Sequence, residues 1–556
     1  MVVSLPSEPT ALDYISAGSW NAAFVASQMF EHLLDLDMQQ NIHPNLAYKW
    51  NVNEADKSIE FWLVRNVTWH DGVPMTAADV KYSIEEIESK ISPDTVGLMN
   101  GTRVDIVDDY TVIVRPKLWI PAAILYMFAT TLVCIYPKHI LEGQNLDTTT
   151  FHSNPVGTGP FMFKEWVKGD HITLVRNPNY WRQSLPYLDS LVITIIPDAS
   201  AFVSSYQTGA VDLRFRGVPY ALYDTLKSMP NTEVYATKMP SYKLHLTFNL
   251  RPDHKITANP LVREAISYAI NRSQLANAGT AGVGGSDQIG GSMLFFGVPN
   301  SPDTPYNYDP NKAEQLLDKA GYAKGSSGTR FSLTITYRRG EPEEGAVVEV
   351  LRDQLSKVGI DLKLQMVDFA TLIDMAWNSY NYDVWILKDY IDSQGIENYN
   401  FYDSQMILKG AGWSNSAGYS NSAVDNLLMQ YLIVIDPNMR QQVAQALDAA
   451  INRDLPLLYL YDVIWVQVKR TTFQGPDVPL GIFQFYETVA HMYWTQGSPT
   501  NPRETQVQTT STAPETMTST AAAQAGSDVT IWVVSIIAIV VIVAVAVWLR
   551  RKRKSS

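Results

Sequence analysis

Residues 344–367 read EGAVVEVLRDQLSKVGIDLKLQMV, and this stretch decides the layer architecture of the chain. Within Glu344–Val358 the residues Leu351, Leu355 and Val358 fall on one face of a helix. Gly359 follows as a residue able to take the left-handed backbone that closes a helix. Asp361–Val367 then alternates, which puts Leu362, Leu364 and Met366 on one side of a strand. The helix face is expected to pack on the sheet containing those three residues.

The same grammar recurs along the chain. Ser58–Val64, Thr111–Val114, Ile172–Arg176, Ser190–Ile196, Tyr242–Asn249 and Arg330–Tyr337 read as strands, and Val2–Leu5 reads as the first strand of a folded domain. Ala77–Lys90, Asn259–Asn271 and Asn311–Lys319 read as helices. Strands and helices in alternation give an α/β body.

The chain has 556 residues, 46% hydrophobic and 18% charged, which describes a globular protein larger than one small domain. Its 14 Trp, 29 Tyr and 18 Phe are spread widely and belong first to the core. The formal charge is −13, and the cluster Arg550–Lys554 contributes +5, leaving −18 on residues 1–549. A body this acidic lacks the basic face that nucleic acid or an anionic lipid surface requires. A single cysteine, Cys134, excludes an internal disulfide framework and a cysteine-based zinc site.

Residues 529–549 (VTIWVVSIIAIVVIVAVAVWL) carry no charge and are long enough to cross one bilayer core of about 30 Å. Trp532 and Trp548 stand near the two ends, and the basic cluster that follows is expected to stay cytoplasmic. The body would then lie outside the cell. The opening residues MVVSLPSEPTALDY have neither a charged start nor an apolar export segment, so a longer precursor is expected. Residues 496–528 are rich in Ser and Thr without hydrophobic periodicity and read as a flexible stalk. Asn66, Asn100 and Asn271 begin Asn-x-Ser/Thr triplets, glycosylation acceptors in principle.

No phosphate-binding loop, His-Glu-x-x-His helix or Gly-x-Ser-x-Gly elbow occurs. The nine histidines are scattered, and no catalytic constellation or metal set stands out. Residues 282–291 are glycine-rich without dinucleotide-binding spacing and read as a loop. His70, in the turn Trp69-His70-Asp71-Gly72, reads as a hydrogen-bonded turn histidine, and Thr76 or the Asp79 region as a helix start. Gly157-Thr158-Gly159-Pro160 reads as a close-packed bend.

Three ordered blocks carry a resemblance. The first is Leu46–Trp50, Ile59–Arg65 and Val67–Val80; the second is Pro155–Phe161 through Trp166, then Arg176–Trp181; the third is Phe248-Asn249, then Asn259–Arg272. Together they resemble the family 5 extracellular solute-binding proteins of ABC importers, the oligopeptide, dipeptide and nickel group, over residues 1–495. A C-terminal stalk and anchor resembles the archaeal arrangement of such binders.

The resemblance implies a periplasmic-binding-protein-like clamshell of two α/β lobes, the large class with an extra subdomain. Lobe I would take residues 1–250 and 470–495, with the subdomain at 41–165; lobe II would take 251–470. Solute would bind between the lobes and pass to ABC permease subunits powered by a separate ATPase, so no cofactor is implied on this chain. In peptide binders of the family, an acidic residue in a Trp-x-x-Asp-Tyr stretch pairs with the ligand ammonium. Here Tyr382–Tyr390 is similar and makes Asp389 the candidate, with Trp385 one residue too far from it and Lys388 beside it. Gly18 and Trp20 stand where some peptide binders use Glu and Val, and a tryptophan suits a sugar ring as well as an apolar side chain. Trp413 and Asn415, with Asn249 of the third block, complete the ligand candidates. Peptide is the expected ligand, with oligosaccharide second and a nickel chelate more distant. A surface hydrolase and a repeat-built surface-layer protein are the readings from other classes, and the chain shows neither a catalytic set nor internal repeats.

Overall fold

The computed structural model describes residues 1–15, 20–36, 41–92, 95–215, 217–283, 307–390, 395–474 and 493–494. All lie in one compact unit, Met1–Ser498. The stalk at 496–528, the apolar segment 529–549 and most of the glycine-rich run 282–291 lie outside these residues. Among the described residues no helix is long and apolar enough to cross a membrane.

The strands in chain order are β1 (Val2–Leu5), β2 (Leu34–Leu36), β3 (Ile42–Pro44), β4 (Ala47–Asn53), β5 (Ser58–Leu63), β6 (Arg103–Asp108), β7 (Thr111–Arg115) and β8 (Phe161–Val167). They continue as β9 (His171–Arg176), β10 (Ser190–Ile195), β11 (Leu213–Arg214), β12 (Thr232–Phe248), β13 (Phe331–Arg338), β14 (Ile360–Val367), β15 (Val384–Tyr390) and β16 (Leu457–Arg470). Ten of them form one sheet in the order β14-β13-β15-β12-β16-β11-β1-β10-β9-β8. Its two halves, β14-β13-β15 and β11-β1-β10-β9-β8, hang on the central antiparallel pair β12 and β16. This is the α/β, two-lobed architecture expected from the sequence.

The crossing pair is not a regular ladder. Lys238 faces Ile464 and Lys243 faces Asp462, so residues 239–242 of β12 lie opposite Val463 alone. Residues 243–248 of β12 then pair with β15 on their other edge. Leu244, Leu246 and Phe248 enter the main core, together with Val3, Leu5, Phe24, Ile193, Val262, Val347 and Leu351. A second core lies under the separate four-stranded sheet β4-β5-β7-β6 and is built from Phe61, Leu63, Trp69, Val80, Ile84 and Phe128.

The 344–367 stretch folds as read, with adjusted ends. The helix spans Pro342–Lys357, because Pro342 has the fixed φ that suits a first helical residue. Leu351, Leu355 and Val358 are buried, and Gly359 has φ +85°. β14 is the sheet's edge strand, and Met366 near its end is 50% exposed, so the helix covers only the earlier part of the strand. The helix read over 77–90 is α-helical over Ala77–Tyr82 and widens to a π-helix over Ser83–Glu88. Thr76 caps it with a capping box closed by Asp79.

The bend at 157–160 fastens the two cores. A Cβ on Gly157 would lie 1.8 Å from the Met29 carbonyl oxygen, so only glycine permits this approach. His70 holds the same bend, accepting from the Gly157 N–H through Nδ1 at 3.1 Å and donating from Nε2 to the Gly159 carbonyl at 3.0 Å. Burial lowers its pKa to about 4, which keeps that tautomer neutral.

Glu31, two residues beyond Met29, is fully buried. Trp181 Nε1 donates to both its carboxyl oxygens at 3.0 Å, and the Tyr180 hydroxyl donates at 3.1 Å. Desolvation outweighs the nearby Arg182 and these donors and pushes the carboxyl up to about 7 from 4.5. A carboxyl raised on folding gives stability that is complete below about 4.5 and lost as pH rises through about 7. Glu31→Gln keeps an acceptor for Trp181 and removes the titration. The variant should therefore lose less stability than the parent between pH 5 and pH 8, by on the order of 2 kcal/mol. Urea denaturation at the two pH values measures this, and equal losses would show that the carboxyl is already ionised at pH 5.

Candidate functional site

In open α/β sheets, ligands bind outside the carboxyl ends of parallel strands, where the chain's connections leave in opposite directions. Each half of the sheet contains one such point. β1 is parallel to β10 on one side and β11 on the other. β13 is likewise parallel to both β14 and β15. The segments leaving these ends are 6–19 after β1, 215–220 after β11, 339–341 after β13 and the end of β15 at Tyr390.

The two ends meet at the crossing strands. Tyr220, in the segment after β11, donates its hydroxyl to the Ile464 carbonyl of β16 at 2.5 Å. Burial first, and then the Glu343 carboxylate from the helix after β13, push this phenol up. Tyr461 of β16 is raised by burial and then by Tyr220, Glu343 and Glu344. Residues from both halves therefore share one electrostatic environment.

Asp389 is the penultimate residue of β15 and pairs by its backbone with Lys243 of β12; its side chain lies outside the described residues. Lys388, whose charge would oppose an ammonium, is held by Glu341 at 2.7 Å and Glu343 at 3.6 Å. Lys243 itself forms a buried ion pair with Asp462 across the crossing strands, at the edge of the register slip. Trp20 opens the helix Trp20–Ala26 that follows the segment leaving β1; its side chain also lies outside the described residues. Phe24 of that helix stacks on Phe215 with ring centroids 4.5 Å apart.

The other four candidates gather at the opposite, amino end of β15. Trp377 bridges them, with its ring 5.5 Å from Trp385 and 5.6 Å from Trp413, and its Nε1 donates to the Ser414 carbonyl. Asn249 donates from Nδ2 to the carbonyls of Tyr380 and Tyr382 at 2.9 and 3.0 Å. Asn415 donates to the carbonyls of Asp403 and Tyr419 at 3.1 and 2.8 Å, and its Oδ1 accepts from the Tyr419 N–H. Both amides thus tie loops together. Trp385 is buried, whereas Trp413 is 44% exposed with φ +58°. Trp385 and Asp389 are separated by about 13 Å of strand, so Asp389 stands apart from these four, and Trp20 lies after β1 in the other half of the sheet.

Sequence reading missed Tyr220 and the Lys243–Asp462 pair. A signal was present: Leu457–Val468 reads LLYLYDVIWVQV, an apolar and aromatic run interrupted only by Asp462 and Gln467. Among the described residues, no group of three or more His, Cys, Asp or Glu side chains is placed to hold a metal ion.

The model of the bacterial extracellular solute-binding proteins, family 5 (middle), matches residues 41–405. The chain belongs to this family. The oligopeptide-binding protein AppA of Bacillus subtilis is 27% identical over 484 residues, covering 83% of this chain and 86% of the relative. The glutathione-binding protein GsiB of Salmonella typhi is 26% identical over 471 residues, covering 83% and 88%. Among solved structures, the fold matches Bacillus subtilis AppA in complex with a nonapeptide at a TM-score of 0.69 and 22% identity, covering 89% of this chain and 98% of that one. NikA of Brucella suis in complex with Fe(III)-EDTA matches at a TM-score of 0.75 and 20% identity, covering 89% and 100%. These likenesses establish the two-lobed solute-binding fold.

The crossing pair gives a direct test of its ion pair. Removing one partner of a buried pair leaves an uncompensated charge, whereas replacing both with apolar side chains is often close to neutral. Lys243→Met and Asp462→Val should each cost about 3 kcal/mol or more, and the double variant should return to within about 1 kcal/mol of the parent. Urea denaturation of the four proteins measures the coupling, and additive losses would show that the two charges do not depend on each other.

Proposed function

We propose that this chain is the outward-facing receptor of an ABC importer and that it captures oligopeptides by their free amino terminus. The observation that carries this reading is the place of Asp389. It stands at the carboxyl end of β15, beside the crossing strands, and the adjacent Lys388 is neutralised by Glu341 and Glu343. With Lys388 engaged in this way, its charge would not oppose an ammonium held by Asp389. Membership of family 5 and the oligopeptide- and glutathione-binding relatives support a peptide ligand.

In this reading residues 1–250 and 470–495 form one lobe, with 41–165 as its subdomain, and 251–470 form the other. Peptide contacts on both lobes favour the closed state, which delivers its cargo to the permease. The apolar segment 529–549 and its basic flank anchor the chain in the membrane, with the stalk 496–528 holding the body outside the cell.

A thermal-shift screen of the purified full-length chain against di- to octapeptides and oligosaccharides tests the reading. A ligand at 100 times its Kd stabilises by about 2.7 kcal/mol, enough to raise Tm by a few degrees. Free peptides should raise Tm, N-acetylated peptides should not, and Asp389→Asn should lose most of the shift without losing its fold. A shift with oligosaccharides alone would replace peptide with carbohydrate as the ligand and turn attention to Trp20 and the exposed Trp413.

A further inference from the structure

His152 stands between two oxygen acceptors. Its Nδ1 lies 2.7 Å from Asp13 Oδ2, and its Nε2 lies 2.8 Å from the Leu146 carbonyl oxygen. Asp13 Oδ1 already accepts the Ile15 N–H at 3.0 Å. A carbonyl oxygen has no proton to give and an ionised carboxylate has none either, so both ring nitrogens must donate. A neutral imidazole has a single N–H and would turn a lone pair on one of the two oxygens. His70 shows the contrast: it faces one donor and one acceptor and fits as a neutral ring. The surroundings of His152 are those of an imidazolium.

The two oxygens belong to segments far apart in the chain. Asp13 lies on the segment that leaves the carboxyl end of β1, with its carboxyl group buried. Leu146 lies between the short helix Lys138–Leu141 and the turn Thr150–Ser153 that carries His152. The Leu12 N–H adds a bond to the His152 carbonyl at 2.9 Å. Ring and backbone together thus hold Leu12–Ile15 against 146–152, while Leu12, Ile15 and Phe151 enter the main core. The held segment leads on to the helix Trp20–Ala26, whose Phe24 stacks on Phe215 beyond β11. The His152 side chain keeps 16% exposure, so water reaches the ring and can exchange its proton.

We propose that His152 is a positioning residue: as an imidazolium it fastens the segment leaving β1 in the place where ligand meets it, and loss of the proton loosens that segment. That ligand meets this segment rests on the peptide reading above; the fastening does not. The charged groups facing the ring are Asp13, from the segment after β1, and Asp147, next to Leu146. Asp13 and Glu88 also face Cys134 and Tyr136, which burial raises well above their usual values and keeps neutral. The bond to Asp13 first, then its charge, the Leu146 carbonyl and Asp147, hold the imidazolium above the ordinary 6.5 against the cost of burial. A histidine raised on folding gives stability that is complete below 6.5 and lost as pH rises through its folded midpoint.

The test uses the full-length chain with isotope-labelled histidine, its ring-nitrogen spectra followed from about pH 5 to about pH 9. One histidine should have a midpoint above 6.5 that falls in Asp13→Asn. Absence of such a histidine would overturn the proposal, and this result needs no folded His152 variant. Hydrogen exchange of the Leu12 and Ile15 amides then reads the fastening. Below the midpoint they should exchange about tenfold faster in His152→Gln than in the wild type at the same pH, and above it the ratio should shrink toward one. A ratio constant with pH would make the ring ordinary packing and overturn the proposal. A pool of random-sequence pentapeptides with free amino termini, and then its tightest member, reads the effect on binding. That pentapeptide should bind His152→Gln about tenfold more weakly than the wild type below the midpoint and nearly as tightly above it. Glu31 and the ligand amino group titrate in the same range, but they act on both proteins alike and cancel in the ratio. An affinity ratio constant with pH would overturn the positioning role. A wild type that binds no member of the pool sinks the peptide reading and the ligand role of this segment, while the midpoint and the exchange rates decide the fastening by themselves.

Discussion

The structure depends on a single constraint: two strands, β12 and β16, must belong to both halves of one sheet. A continuous antiparallel ladder of 14 or more residues would be a stiff plank. The chain breaks it by setting residues 239–242 against Val463 alone, and Pro240 in that insert has no N–H to give to a ladder. On one side of the slip the buried Lys243–Asp462 pair fixes which residues face each other, because any other register would leave two charges buried apart. On the other side Tyr220 and the Val218–Val466 bridge bind the segment after β11 to the same strand. Pairing resumes on both sides of the slip, with one further irregularity between Leu244 and His245, which face Tyr461 and Tyr459.

The crossing strands also organise the main core. Leu244, Leu246 and Phe248 of β12 and Leu458, Leu460 and Val463 of β16 belong to the main core, so the crossing strands are themselves packed between the two halves. The main core runs along both halves and the second core sits under its own four-stranded sheet. The bend at Gly157 and the buried Glu31 join the second core to the first through close backbone contact and hydrogen bonds, not through loops.

Local pattern made much of this legible. The helix and strand of 344–367, the Thr76 cap, the turn at Gly72 and the close bend at 157–160 all follow from residue type and spacing, and each appears in the structure. The crossing itself was not legible. Only Tyr242–Asn249 of β12 read as a strand, and β16 was not read at all, since a strand's partner more than 200 residues away leaves no local trace. The site was harder still. Asn249 and Asn415 have the residue type of a ligand contact, yet an amide that ties two loops has the same local spacing as one that meets a ligand. The π-helical turn at 83–88 shows the same limit: a helical period fits both windings, and tertiary packing selects between them.

The acidity of the body gains a local meaning at the end of β15. The helix Pro342–Lys357 begins with Glu343 and Glu344 in its first turn, after Glu341 at its cap position. Carboxylates are favoured there by the helix dipole, so the fold accommodates them without a matching number of cations. Arg338 is engaged by Glu344 and Glu341, and Lys388 by Glu341 and Glu343. Arg338 and Lys388 are thereby held by a surplus of carboxylate. A positively charged ligand group arriving at this end meets no free cation from Arg338 or Lys388, and the body's net −18 adds a long-range field of the same sign. If Asp389 holds the ligand ammonium as proposed, the turn that follows β13 sets the charge around it from one element away.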